Sequence, residues 1–355
     1  MTIDKPIPSP RKPTPNRPLP VNDSVSKPYE LVSLPDVAPQ RAEPAGQKQF
    51  RSDRISGKIP LRLTVKTTAF VASGVVAMGS DISNQTRNIP LIKTSVLRNQ
   101  GLLIPGSSLK GVVRSIYEAI TTSCLCKTTV DRTKIPDGYG ECRNKNNLCP
   151  ACQVFGAMGW QGLVRFPDAV TTERKSSVGF IPSLYAPRPK RAAYYLRNGK
   201  VAGRKFYYHT IKAVDKGSQK GIAVQQAGSE FIFTTQLRFM NLTLAELGTL
   251  LIVLGQDKPN NTIALKVGGG KPIGMGTMVV ENIQELELLQ NQQDWKKRYC
   301  NYEQELQSLT GNKLQDFLKQ AIASAHKTLV RSQQMQQLRE VLQFPTDREP
   351  PEGMY

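Results

Sequence analysis

Five of the six cysteines lie between Cys124 and Cys152, at Cys124, Cys126, Cys142, Cys149 and Cys152, and this crowding limits how the chain can fold more than any other feature. CxC and CxxC spacings suit a tetrahedral thiolate site, because short-spaced pairs can surround one zinc ion from four sides. The first twenty residues hold seven prolines and no apolar signal core. No run reaches the roughly 18 consecutive apolar residues that a membrane span needs. A cytoplasmic, reducing setting is therefore expected, and there clustered cysteines point to metal rather than to disulfides. Cys149 and Cys152 supply one pair of ligands. The other two come from Cys124, Cys126 and Cys142, so one of the five is surplus. Four thiolates leave no open coordination position, and the zinc is expected to be structural, folding an insertion over about residues 123–160. Cys300 stands alone and is expected to be inert.

Two glycine-punctuated motifs flank a similar stretch around these cysteines: IPGSSLKGVVRS at 104–115 and GGGKPIGMG at 268–276, with CPACQVFG at 149–156 between them. In the first, Ser107 or Ser108 is placed to cap a helix whose opening turns carry Lys110 and Arg114 on one face. Leu109, Val112, Val113, Ile116 and Ile120 form the opposite, apolar stripe. The arrangement predicts an anion site made of unpaired N–H groups and Lys110. In the glycine-rich loop, the missing Cβ atoms allow close backbone approach to a phosphate or base, with Lys271 adding charge. It lacks the GK[ST] ending of a nucleotide-binding P-loop.

The chain carries a formal charge of +20. Such an excess favours a polyanionic partner, since each phosphate neutralised releases condensed counterions. Residues 165–220 hold 13 Lys and Arg against 3 Asp and Glu. The same stretch contains Phe166, Phe180, Tyr185, Tyr194, Tyr195, Phe206, Tyr207 and Tyr208. Cations interleaved with rings suit single-stranded nucleic acid, where bases stack on the aromatics. Arg204, Lys205, Tyr207, Tyr208 and an exposed His209, all within GRKFYYH, are the candidate contacts.

Eleven of the 25 prolines precede Lys48, so residues 1–58 read as a disordered or polyproline-like basic arm. Beyond it the pattern is α+β. Strands are predicted over 59–71, 162–170, 230–240 and 266–283. Helices are predicted over 108–122 and over 242–254, the latter capped by Asn241. The order β, α, β, β, α, β fits a ferredoxin-like (RRM-like) unit over 59–283 with large insertions. One insertion is the zinc knuckle; the other, basic and aromatic, covers about 171–228 and is thumb-like. Residues 284–355 read as glutamine-rich amphipathic helices with a break near Gly311.

Taken together, IPGSSLKGVVRS, CQVFGAMGWQGLVRFPDA at 152–169, GRKFYYH at 203–209 and the late glycine loop resemble the RAMP superfamily of CRISPR-associated proteins, in particular the backbone subunits of type III RNA-targeting effector complexes. The resemblance covers about 59–283. It implies a ferredoxin-like core holding a guide RNA (crRNA), with several effector subunits stacked along that RNA and a single-stranded target RNA paired to it, in antiviral defence. It also implies that Gly269, Gly270, Lys271 and Gly274 lie against the guide.

Catalysis is open at this level. Relatives that cleave target RNA use an aspartate before the IPGSSLKG motif to hold a metal ion, Mg or Mn. Here Asn88 stands at that place, and an amide cannot supply the negative charge. Asp81 is the one carboxylate in the 74–93 loop. The leading expectation is a non-catalytic RNA-binding subunit. The alternatives are a metal-dependent endoribonuclease acting through Asp81 and a guide-processing nuclease using His209 as general base.

Overall fold

The computed structural model describes residues 27–99, 101–126, 128, 130–171, 173, 176–182, 195–214, 221–259, 262–289, 294, 296, 300 and 308–351. The long strand Ile55–Val65 is the axis of the fold. Its alternation is that of a half-buried strand: Ile59, Leu61, Leu63 and Val65 are buried, while Pro60 and Arg62 face outward. Strand Ile232–Leu242 runs antiparallel beside it, with Leu237 opposite Ile59 and Phe233 opposite Leu63. On the other flank Thr277–Val280 pairs antiparallel with residues 63–65, and Leu286–Leu289 pairs with residues 56–58. The curled antiparallel sheet continues from 232–242 through Ala169–Thr171 to Gly101–Ile104.

Two helices cover the apolar face. Helix Gly106–Ile120 buries Leu109, Val113, Ile116 and Ile120 of the stripe read from sequence, with Tyr117 beside them, and leaves Val112 half-buried. Helix Leu244–Val253 is apolar all round and is sandwiched between the sheet and helix Gly311–Thr328. The crossing is close: a Cβ on Gly248 would run into the Ala321 carbonyl oxygen. A second sheet, in the order Ser177–Pro182, Gly221–Gln226, Ile92–Ser95, Ala72–Ala77, lies apart from the first. Tyr29–Ser33 pairs antiparallel with Gly203–Tyr207.

Several expectations are corrected. Helix 106–120 has no serine cap: its N-cap is Pro105, and the Gly106 N–H donates to Asp168 Oδ1 at 2.8 Å. Helix 244–253 is capped by Thr243, whose hydroxyl accepts the Glu246 N–H in a reciprocal capping box. Asn241 instead has φ 54° and ties down the segment before the first long strand, donating to the Gly46 and Gln49 carbonyls and accepting from the Arg51 N–H.

That segment was expected to be disordered. Within it, residues 27–58 carry the 29–33 strand and lace over the cysteine insertion. The Tyr139 hydroxyl donates to the Pro35 and Val37 carbonyls, and Arg41 donates to Gly138 and Gly140. Residues 1–26 of the expected arm lie outside the described residues. The region after 284, expected to be helical, begins with the 286–289 strand before helices 311–328 and Ser332–Leu342. Residues 290–293 and 301–307 of it are outside the described residues, as are Tyr185 and Tyr194 and most of the middle of the thumb-like insertion. No helix among the described residues is long and apolar enough to cross a membrane.

Candidate metal centre and nucleic-acid interface

The chain brings Cys124, just beyond helix 106–120, together with Cys142, Cys149 and Cys152 from the following insertion. Their sulfurs all lie within 4.8 Å of one another, and all four are buried. Cys126 is half-buried and is not part of this group. The Cys124 and Cys152 sulfurs are 3.7 Å apart. Four thiolates at a zinc–sulfur distance of about 2.3 Å would sit about 3.8 Å from one another, so the cluster fits a tetrahedral ion. Backbone N–H groups already point at sulfur: Cys124 N–H to Cys149 Sγ at 3.4 Å and Cys149 N–H to Cys142 Sγ at 3.3 Å. Hydrogen bonding within the cluster lowers the Cys142 thiol and brings Cys149 down to about 7, while it raises the thiols of Cys124 and Cys152. The four cysteines can therefore hold a metal such as zinc.

Arg114 and Arg204, expected to face RNA, serve this cluster instead. Arg114 donates to Glu118 Oε1 at 2.7 Å, to the Gly156 carbonyl at 3.0 Å and to Cys152 Sγ at 3.3 Å. Arg204 donates to Glu118 Oε2 at 2.9 Å and to the Ser123 and Cys124 carbonyls. Sequence spacing correctly put Arg114 on the helix, but it could not show that the helix face meets the cysteine insertion.

His209 is also corrected. It is fully buried, with Nε2 against the Ala264 carbonyl at 3.1 Å and Nδ1 against Thr277 Oγ1 at 3.0 Å. A carbonyl only accepts, so the network assigns the proton to Nε2 and leaves Nδ1 to accept from Thr277. Burial pushes its pKa down to about 3, so it neither stacks on a base nor reaches a substrate. The consequence for stability has a definite sign. Between pH 6.5 and about 3 the unfolded chain holds a proton that the folded chain refuses. Stability must fall with pH in that window, by up to about 1.4 kcal/mol per pH unit. His209→Gln should lack this component, giving a shallower decline in urea midpoint from pH 6.5 to 5 than wild type. Identical declines would refute the assignment.

Around His209 lies the glycine loop. Lys266 Nζ donates to the Gly274 carbonyl at 3.0 Å and to Thr277 Oγ1 at 3.2 Å, and Thr67 donates to the same Gly274 carbonyl at 2.7 Å. Gly270 and Gly274 sit at φ 67° and 89°, in the left-handed region. At Gly274 a side chain would also strike Thr210. Gly269 is exposed, and its N–H donates to the Phe70 carbonyl. Lys271 is half-buried and has no hydrogen-bond or ion-pair partner among the described residues. Burial alone pushes its pKa down.

At the helix N-terminus Ser107 is exposed and Ser108 half-buried. Lys110 donates to the Val164 carbonyl at 3.0 Å. Its pKa is lowered by burial and by the neighbouring Arg114 and Arg165. Asp168 takes part of the anion position read from sequence, because its carboxylate already accepts the Gly106 N–H. Lys205 stands over the rings of Tyr29 at 3.9 Å, Tyr207 at 4.6 Å and Tyr195 at 5.8 Å. Tyr208 is half-buried beneath Arg348. Phe166 and Phe206 are core residues rather than a stacking surface. Asp81 is exposed and closes the short turn Gly79–Ile82, accepting the Met78 N–H at 3.3 Å. Asn88 is exposed on the same loop.

No curated protein matches the sequence. Among solved structures, the chain is similar to one described as the cryo-EM structure of the type III-B Cmr-beta bound to cognate target RNA. The identity is 15%, the TM-score 0.32, and the match covers 66% of this chain and 61% of that one, so the chain spans about three fifths of its length. A family model described as RAMPs, the RAMP superfamily, matches residues 62–279. That span takes in the end of the 55–65 strand, all of the 232–242 strand, both sheet-covering helices, the cysteine cluster and the glycine loop, and the chain belongs to the RAMP superfamily.

Proposed function

We propose that this chain is a guide-RNA-binding backbone subunit of a type III CRISPR RNA-targeting effector complex, assembled with other effector subunits and meeting a single-stranded target RNA paired to the guide. The observation that carries the reading is Lys271. It is a desolvated cation without a hydrogen-bond or ion-pair partner among the described residues, set between two left-handed glycines and braced from beneath by Lys266, Thr67 and Thr277. Burying a charge without a counter-charge is unfavourable, and a phosphate at that loop would relieve it. The +20 charge and membership of the RAMP superfamily support the same partner.

The core reads as ferredoxin-like over 59–283. In support, the four strands 277–280, 55–65, 232–242 and 169–171 are neighbours in that order, and helices 106–120 and 244–253 follow the first and third in sequence. The insertions are the knuckle at about 123–160 and the thumb-like segment at about 171–228, with 284–355 as a C-terminal extension. The metal is zinc, held by Cys124, Cys142, Cys149 and Cys152. Four soft donors and no open position suit a structural ion, and Arg114 beside Cys152 Sγ offsets part of the thiolate charge.

Replacing Lys110 and Lys271 with alanine should weaken single-stranded RNA binding at every sequence. It should also flatten the plot of log K against log salt by about 0.7 per lost phosphate contact. A double variant that keeps its melting temperature, its affinity and its salt slope would rule the surface out.

A further inference from the structure

The insertion's fifth cysteine is surplus to the metal centre, yet it touches two of the ligands. Cys126 stands outside the group of four sulfurs that lie within 4.8 Å of one another. Hydrogen bonding nevertheless joins its thiol to those of Cys124 and Cys152. Arg114, whose guanidinium donates to Cys152 Sγ at 3.3 Å, also interacts electrostatically with Cys126. Together these contacts put Cys126 against one edge of the thiolate tetrahedron, the edge between Cys124 and Cys152, with Arg114 on the same flank. Exposure differs as well. The four ligands are buried, whereas Cys126 is half-buried and open in part to solvent. A small oxidant arriving from water therefore meets Cys126 before it meets a ligand sulfur.

We infer that Cys126 is an oxidation site for hydrogen peroxide and that its oxidation opens the metal centre, a consequence that rests on the zinc reading given above. In the first step one peroxide oxygen passes to the Cys126 sulfur. The O–O bond breaks, an S–O bond forms and water leaves, so the thiol becomes a sulfenic acid. Cysteines that respond reversibly to oxidants are solvent-accessible and stand next to a resolving thiol; here the resolving thiol is a metal ligand. In the second step the Cys124 or Cys152 thiolate attacks the sulfenic sulfur. An S–S bond forms, the S–O bond breaks, and the oxygen takes up a proton from solvent and leaves as water. The two sulfurs have then supplied the two electrons that reduce the peroxide. A sulfur tied into a disulfide is no longer a thiolate donor, so three ligands remain where a closed site needs four, and a chelator can enter. A dithiol reductant returns both electrons and restores the ligand set.

The test is zinc release from the full, reduced chain under hydrogen peroxide, followed with a chromogenic zinc chelator after elemental analysis of the untreated protein. Peroxide should speed release from wild type. Cys126→Ser should slow the peroxide-driven release by at least about tenfold, while giving up zinc to the chelator alone at the wild-type rate. Cys300→Ser, at an exposed cysteine elsewhere, should behave as wild type. Peptide mapping of the oxidised wild type should find Cys126 joined to Cys124 or Cys152, and dithiothreitol with added zinc should restore the metal content. Mapping needs no variant, so it decides the matter even if Cys126→Ser does not fold. An untreated chain without zinc would sink the zinc reading and the inference with it. With zinc present, the inference alone is overturned by any of three results: Cys126→Ser releasing zinc under peroxide as fast as wild type, Cys126 recovered as an unmodified thiol after the metal is lost, or its disulfide joining any other cysteine.

Discussion

Cys149→Ser should leave the purified, reduced chain without its metal and with an insertion that protease cuts at once, whereas Cys126→Ser should keep both the metal and the protection. The contrast follows from geometry: Cys149 belongs to the group of four sulfurs within 4.8 Å of one another and Cys126 does not. The magnitude follows from what else holds residues 123–149, where the described residues show a short 3-10 turn and otherwise irregular backbone. Among the described residues Cys124, Leu125, Tyr139, Cys142, Leu148 and Cys149 are its buried apolar residues, a small core for a segment of that length. Structural zinc supplies about 10–16 kcal/mol of apparent binding free energy at neutral pH, and that energy becomes folding energy when the ligands are scattered in the unfolded chain. Elemental analysis and limited proteolysis of the two variants side by side decide the matter. Equal metal content in both, or none in the wild type, would sink it.

The same cluster shows where sequence reasoning stops. CxC and CxxC spacing pointed to a thiolate site but left five candidates for four places, because spacing says nothing about which way Cys124 and Cys126 face once the chain leaves helix 106–120. The 55–65 strand and the 106–120 helix were legible because alternation and helical periodicity are local properties of their own residues. What failed was non-local. The partner of the Gly106 N–H is Asp168, 62 positions away, so the expected serine cap was displaced by tertiary structure. His209 follows a basic, aromatic strand and reads as exposed, yet it turns inward to Thr277 and Ala264. LELL at 286–289 carries good helix formers but fills the vacant edge beside residues 56–58, where pairing outweighs propensity.

Glu118→Ala should be the most damaging substitution outside the cysteines. Glu118 is a buried carboxylate that bridges two guanidiniums, Arg114 at 2.7 Å and Arg204 at 2.9 Å, and both of these are themselves mostly shielded from solvent. Removing the shared anion leaves two buried cations near each other with nothing between them. Breaking a buried pair from one side costs about 3–5 kcal/mol, chiefly the desolvation of the orphaned charge. Each arginine also fastens the cysteine insertion, Arg114 at Cys152 Sγ and Gly156, Arg204 at the Ser123 and Cys124 carbonyls. The variant should therefore release its metal to a chelator faster than wild type as well as unfold at lower urea. Replacing all three residues by apolar ones of similar length, Arg114→Met, Glu118→Leu and Arg204→Met, should recover much of the lost folding stability, because no buried charge is then left unpaired. It should not restore slow metal release, because the N–H donor to Cys152 is gone. Urea unfolding and chelator-release rates on the three proteins separate the two contributions. A Glu118→Ala chain within about 0.5 kcal/mol of wild type, the range of an ordinary surface change, would mean that the two arginines find other partners and that Glu118 does not anchor the insertion.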